Sequence, residues 1–484
     1  MKFFEPSQTP AEGLGVLLLF QLIEEAVPAF FRPDRAIHIA RAPGQLDVMG
    51  GFADYSGSLV LQLPLAEAAC AAVQLRDDDL LRLWSPCRDG SRTQLLTMRL
   101  DDLGLPSAAI DYTEARALFG GDPRDRWAGH LLGCLLVLAR ERGLAPQRGV
   151  DLLLHSDVPE ARGVGSSAAI EVAAMLALAK LHDVELSGRE LALLCQIVEN
   201  EIIGAPGSAM HQATAACGEA DELLALRCQP CELAGSIAVP PQLEFVGIDS
   251  VVRPVTTDWS TGEVRAGAFL GERILADRRG LAVRREGDRV VSEDPAWRGH
   301  LANCGVEEFR SRWLSQVPET IGGTEFLQRY GGQADPHTRI DPRHTYPVRA
   351  PTQHAIEENG RAERFRELLT LDATPAQRLE LGELMFVSHR AYATCGLGNP
   401  TADFVVEQAR QRMDKGGQLI GAKMTGRGGG GTVVLLGERG QVWYEALRIK
   451  KALLQETRHS AHIFRWSSPG ALSFGGIELR PLHA

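Results

Sequence analysis

The stretch Val158-Pro-Glu-Ala-Arg-Gly-Val-Gly-Ser-Ser-Ala-Ala169 decides the fold, because it reads as a loop that opens directly into a helix. Upstream, Val150–His155 (Val-Asp-Leu-Leu-Leu-His) is a short apolar run of strand type. Downstream, Ile170–Leu181 is rich in Ala, Leu and Met, a helix-forming composition. Gly163 and Gly165, with Val164 between them, let backbone approach an anion closely. Ser166, Ser167 and Ala168 sit where the first amides of a helix lack an acceptor. Those amides and the helix dipole favour a phosphate group. No Gly-Lys-Ser/Thr follows, and the glycine spacing differs from the dinucleotide fingerprint. Taken alone, the segment also fits a plain strand-to-helix turn capped by serine.

The rest of the chain sets bounds. Its 484 residues suffice for two or more domains, and its net charge of −11 argues against a nucleic-acid partner. The nine cysteines are scattered and outline no secreted disulfide framework. Cys228-Gln-Pro-Cys231 is the one CxxC pair, and no second pair or histidine pair completes a zinc site. Met1–Pro10 lacks a signal peptide's basic region and apolar core, while Val16–Phe20 with Glu24 and Glu25 suggests an amphipathic helix. No segment reaches the roughly 18 apolar residues of a membrane span, so the expectation is a reduced, cytoplasmic location without a membrane partner.

Strands are expected at Leu59–Leu65, Ala68–Leu75 and Leu243–Asp249, with helices at Asp125–Arg142 and Gly188–Ile203. Around Arg227–Pro241 the chain turns rich in Pro and Cys, which suggests domains spanning 1–242 and 243–484. A polar region from about Arg278 to Arg349 reads as helices plus a long excursion. Ala362–Leu371, Pro375–Ala393 and Thr401–Lys415 then look helical, and Gln418–Ala422 and Gly431–Leu436 look like strands flanking a glycine run.

Two more segments settle the first one. Arg41–Gln62 reads RAPGQLDVMGGFADYSGSLVLQ, and Gly421–Leu436 reads GAKMTGRGGGGTVVLL. With the central loop they resemble, in order and spacing, the three motifs of the GHMP small-molecule kinases. The first and third are similar to the galactokinase branch, and above all to the L-arabinokinase kinase domain. Cys195-Gln-Ile-Val-Glu-Asn200, Gly204-Ala-Pro206, Cys217-Gly-Glu-Ala220, Gly247-Ile-Asp-Ser250 and Cys395-Gly-Leu-Gly398 extend the likeness. The resemblance implies an α+β fold: an S5-like N-terminal domain and a ferredoxin-like C-terminal domain.

It also implies ATP as cofactor, held against Gly163–Ala168 and Gly428, Gly429 and Gly430. Magnesium is implied near Ser166 or Ser167 and Glu199, since few oxygen ligands plus substrate phosphates suit that ion. Asp54 matches the family aspartate that binds sugar hydroxyls, and Trp259 lies where relatives place an aromatic residue near the sugar. Gly51 and Phe52 replace the Glu-His of galactokinases, which argues against galactose as sole substrate. Arg427, inside the glycine run, is either a charge beside the phosphates or a side chain turned to water. Two catalytic positions depart from the family: Gln45 replaces the arginine of APGR, and His211 replaces the aspartate presumed to be the base. Imidazole remains capable of that work near neutral pH.

The reading is an ATP- and magnesium-dependent kinase acting on the anomeric hydroxyl of an arabinose- or galactose-like sugar. The alternative is a silent sugar or nucleotide sensor on the same scaffold, motivated by Gln45 and His211. A mevalonate-like substrate is a third option, suggested by Gly163-Val-Gly-Ser-Ser-Ala-Ala169.

Overall fold

The computed structural model describes residues 3–6, 14–26, 29–86, 92–252, 258–369 and 373–482. The side chains of residues 4, 5, 14 and 258–260 lie outside that description. Among the described residues the larger sheet has nine strands, with the antiparallel pair Ile37–Met49 and Leu59–Leu75 at its centre. Val150–Ser156 pairs antiparallel with the far half of Leu59–Leu75, placing the phosphate-loop candidate at the sheet's end. The strand Ile477–Pro481 returns from the C-terminus to pair with Ile37–Ile39.

Over this sheet lies the helix Ser166–Leu181, whose residues from Ala168 to Ala179 are all buried. A helix apolar all round belongs in the middle of a domain. Its run of alanines allows close approach to the sheet, where it joins Ala40, Ala42, Leu152 and Leu154 in one core. A second, four-stranded sheet runs Leu419–Met424, Thr432–Glu438, Leu243–Asp249, Ile463–Phe464. Its core is Val246, Ile248, Val405, Leu435 and Ile449 with their neighbours.

Several boundaries differ from expectation for physical reasons. Leu59–Leu65 and Ala68–Leu75 form one continuous strand, because Ile37–Met49 pairs along nearly all of it and absorbs the mismatch in register shifts at Gln45 and Met49. The Asp125–Arg142 helix starts at Ala128. Gly188–Ile203 stays helical only to Ile197 and then widens into a π-turn over Val198–Ile203. The helix expected at Ala362–Leu371 begins far earlier, at Arg349, and ends at Leu368; residues 370 and 371 lie outside the described residues. The pattern misled there because Glu358 and Arg361 are buried as an ion pair, 2.7 Å apart, not solvated.

The polar excursion is a folded layer. Trp297, Phe309, Trp313, Phe326, Tyr330 and Tyr346 make a core with Leu270 and Ile274 of the Asp258–Arg278 helix and Ile356 of Arg349–Leu368. No described helix is long and apolar enough to cross a membrane.

One buried charge pair joins the first and third motifs. Lys423 Nζ lies 3.3 Å from Asp47 Oδ2, and both side chains are wholly inaccessible. Thr425 Oγ1 accepts from the Asp47 amide at 3.0 Å, and Gln62 Nε2 donates to Asp47 Oδ1 at 3.0 Å. Tyr392 adds a second link: its hydroxyl accepts from the Phe52 amide and donates to the Gly426 carbonyl. Lys423→Met leaves a buried carboxylate unpaired and is expected to cost about 3–5 kcal/mol in denaturant unfolding. A loss under 1 kcal/mol would mean that the pair does not hold the motifs together.

Candidate active site

The loop after Val150–Ser156 reaches the helix through Gly165, which caps it in the left-handed conformation at φ 68°. Gly163 is left-handed too, at φ 69°. These two turns carry the chain sharply from strand to helix and leave the first-turn amides pointing away from the helix. The Val164 carbonyl accepts from the Gln45 amide at 3.0 Å, so the first motif is fastened to the loop through backbone. A Cβ on Gly165 would collide with the Gln45 side chain, which lies directly against it.

Gln45 faces the residue expected to act beside it. Its Nε2 and His211 Nδ1 are 2.6 Å apart, so the two departures from the family pattern form one contact. His211 stands in the first turn of Met210–Cys217. Burial first, and then the Arg427 charge, push its imidazole down to about 4, against the opposing pull of Asp54 and Glu199. It is therefore neutral at physiological pH.

Asp54 lies in a short 3-10 turn, Gly51–Ser56, and is buried. Its Oδ2 accepts from the Ser208 amide at 3.2 Å and the Ser208 hydroxyl at 2.7 Å, which aims the carboxylate. Arg265, on the helix Asp258–Arg278, reaches the same neighbourhood, and its charge is felt by Asp54's neighbour Tyr55. A bidentate pair with buried Asp335, at 2.7 and 2.8 Å, fixes that arginine. Trp259 is on the first turn of this helix, and its side chain lies outside the described residues. Cys228 and Cys231 are free and buried, with Cys228 Sγ donating to Ser208 Oγ at 3.7 Å.

Glu199 lies in the π-turn, where the Ser167 hydroxyl helps to hold its carboxyl down. His130, Glu171 and Glu199 bring ligand atoms within 4.8 Å of one another. Burial alone would raise Glu199, but His130, the Glu171 hydrogen bond, Arg427 and Ser167 hold it below the usual range. Burial and the Glu199 charge drive Glu171 the other way, well above it. The two carboxyls of the pair are thus driven in opposite directions. Glu199 Oε2 is buried without a hydrogen-bond partner. An orphaned carboxylate oxygen beside a serine hydroxyl fits a hard cation.

The glycine run forms a turn between Leu419–Met424 and Thr432–Glu438, with Gly426, Gly428, Gly429, Gly430 and Gly431 all at positive φ. Gly426 and Gly431 are the two that approach the loop backbone at Gly163 and Arg162. Gly428, Gly429 and Gly430 rest instead against Leu397, Asn399 and Val252. Sequence reading passed over Ser208, Arg265 and Asp335. Nothing in their local pattern marks them, because their partners are distant in sequence.

A glycine-rich loop at a helix N-terminus, with the buried Glu199 beside it and Asp54 facing the same imidazole, is the architecture of a small-molecule kinase. The pattern of the GHMP kinases N terminal domain matches residues 129–219. The L-arabinokinase of Arabidopsis thaliana is 36% identical over 498 residues, which covers 94% of this chain and 48% of the plant protein. The chain thus spans about half the length of that relative. The galactokinase of Chloroflexus aurantiacus is 30% identical, over 60% of this chain and 68% of its own length. In fold, Lactococcus lactis galactokinase complexed with galactose is similar at a TM-score of 0.70, covering 94% of this chain and 99% of that one at 19% identity. The chain belongs to the GHMP kinase family, in its galactokinase branch.

Gly165→Ala should lose MgATP affinity by at least about 100-fold in calorimetry, because a Cβ strains the left-handed cap and displaces Gln45. Affinity within threefold of the parent would remove this loop from the nucleotide site.

Proposed function

We propose that the protein is an ATP-dependent sugar kinase that phosphorylates the anomeric hydroxyl of an arabinose- or galactose-like sugar. The observation that carries this reading is the convergence of the phosphate loop, the Ser167–Glu199 pair and the Ser208-held Asp54 around one imidazole. ATP lies with its phosphates on the amides of Gly163–Ala168, and the glycine turn closes over it. Ser167 and Glu199 would hold magnesium, which would supply neutralisation of the phosphate charge. A cytoplasmic setting accords with the need for ATP. The chain at 1–242 and 243–484 would then divide the work, with nucleotide and sugar meeting between the first and third motifs.

On the sugar side, Asp54 Oδ1 is left to accept a hydroxyl while Oδ2 is taken by Ser208. Trp259 and Arg265 stand on the neighbouring helix as further sugar contacts. In transfer, the anomeric oxygen forms the new bond to phosphorus and the bond to ADP breaks. The hydroxyl proton passes to His211 Nε2. The structure sets Gln45 Nε2, a donor, against Nδ1. For His211 Nε2 to be free, Nδ1 must bear hydrogen, so the Gln45 amide has to turn over and present its oxygen, which is otherwise without a partner, to the ring. Gln45 thereby sets the tautomer of the base. A silent sensor on the same scaffold would bind both ligands and release no ADP.

His211→Ala is expected to lower kcat by about 100- to 10,000-fold with MgATP and a sugar panel, while ATP affinity in calorimetry stays within threefold. Unchanged turnover would take His211 out of the mechanism.

The reaction needs neutral imidazole, so kcat/KM should be flat above pH 5 and fall as pH drops through about 4. Among the described residues three charges face that ring: Arg427 from the glycine turn lowers its affinity for a proton, while Asp54 and Glu199 raise it. Gln45→Glu adds a carboxylate at Nδ1, favours imidazolium, and should move the acid limb upward toward the ordinary histidine range. An acid limb that stays in place in this variant would separate Gln45 from the base.

A further inference from the structure

Replacing the family arginine by Gln45 leaves the phosphoryl position without the cation that phosphoryl transfer uses. Most cations bordering the site are already committed. Lys423 is paired with Asp47, Arg265 with Asp335, and Arg162 with Asp249 at 2.8 Å. Arg116 and Arg126 are spent on the carbonyls of Asn200, Glu201 and Ile203. Arg427 differs from these. It is exposed at the tip of the glycine turn and has no carboxylate partner among the described residues.

Two neighbours locate the Arg427 guanidinium. Arg427 Nη2 lies 2.6 Å from where a Cβ on Gly207 would stand, so the guanidinium rests directly against the Gly207 backbone. Gly207 itself is pinned: its amide donates to Asn200 Oδ1 at 2.9 Å, and its carbonyl accepts from Gln196 Nε2 at 2.8 Å. The next residue, Ser208, is the one that holds Asp54. On the other side of Arg427, Gly426 abuts Gly163 of the phosphate loop. The guanidinium therefore stands between the phosphate loop and the sugar pocket. Its charge is felt both at His211 and at Glu199, which flank the reacting centre.

We propose that Arg427 is the catalytic cation of this chain, binding the equatorial oxygens of the transferring phosphoryl group from the glycine turn. This rests on the sugar-kinase reading above. It also gives one account of both departures in the family motifs. An aspartate at position 211 would lie within reach of Arg427 and neutralise it, whereas the neutral Gln45–His211 pair leaves its charge free. No bond is made or broken by Arg427; it offsets negative charge as the sugar oxygen–phosphorus bond forms and the bond to ADP breaks.

The test is steady-state kinetics of the full chain with MgATP and the sugar that it turns over, for the parent, Arg427→Ala and Arg427→Lys. Arg427→Ala should lower kcat by about 1,000-fold, with KM for ATP within tenfold and partial recovery on adding guanidinium ion at millimolar concentration. Arg427→Lys should fall between the two, since it keeps the charge and loses the fork. Thermal unfolding of each variant guards against loss of fold, and the exposed lysine variant remains informative if the alanine variant is unstable. A parent with no ADP release on any sugar overturns the kinase reading itself. A turning-over parent whose Arg427→Ala variant keeps kcat within tenfold overturns this proposal alone. So does a loss carried wholly by KM for ATP, because that is ground-state phosphate binding.

Discussion

The buried pair between Asp47 and Lys423 is the contact on which the site depends. Desolvating both charges is expensive, and the cost is offset only because Gln62 and the Gly426 backbone complete the carboxylate's bonding while Thr425 holds the Asp47 amide. A pair of this kind tolerates one geometry, and that is its use. It sets the strand of the first motif against the strand leading into the glycine turn. Tyr392 and the Glu358–Arg361–Ser388 cluster extend the same clamp through the Gly50 and Phe52 amides. Once the first and third motifs are locked, Gly426 meets Gly163, and the phosphate loop has its third wall.

Inside that frame the electrostatics are redistributed relative to the family pattern. The usual arginine and aspartate are replaced by two neutral partners, Gln45 and His211, in hydrogen-bond contact. Positive charge enters instead from Arg427, and negative charge is favoured on Glu199, whose neighbour Glu171 is pushed the other way by burial and by the Glu199 charge. Low dielectric makes each of these choices matter more than it would at the surface. The excursion after Arg278 contributes by placing Asp335, which fixes Arg265 beside the pocket of Asp54.

Local signals were sufficient for much of this. Glycines at 163 and 165 followed by serines announce a strand-to-helix anion site, since no other residue type relaxes both left-handed turns. The alanine-rich helix and most strands were readable from composition and period. The failures share a cause. The helix from Arg349 was expected only from Ala362, because the charged run before it shows no apolar period, whereas Glu358 and Arg361 are buried partners. The break placed between Leu65 and Ala68 ignored a neighbouring strand able to carry one ladder across Pro64.

The sequence by itself determined the phosphate loop, the three motifs in their order, the family, and the two departures at positions 45 and 211. These are properties of short segments, and short segments fold by local rules. Only the tertiary structure decided that Gln45 and His211 touch, that Lys423 answers Asp47, and that Arg427 lies against Gly207 between the two pockets. Each of those joins residues far apart in the chain, so its energy comes from burial and pairing that exist only once the sheets and helices have packed.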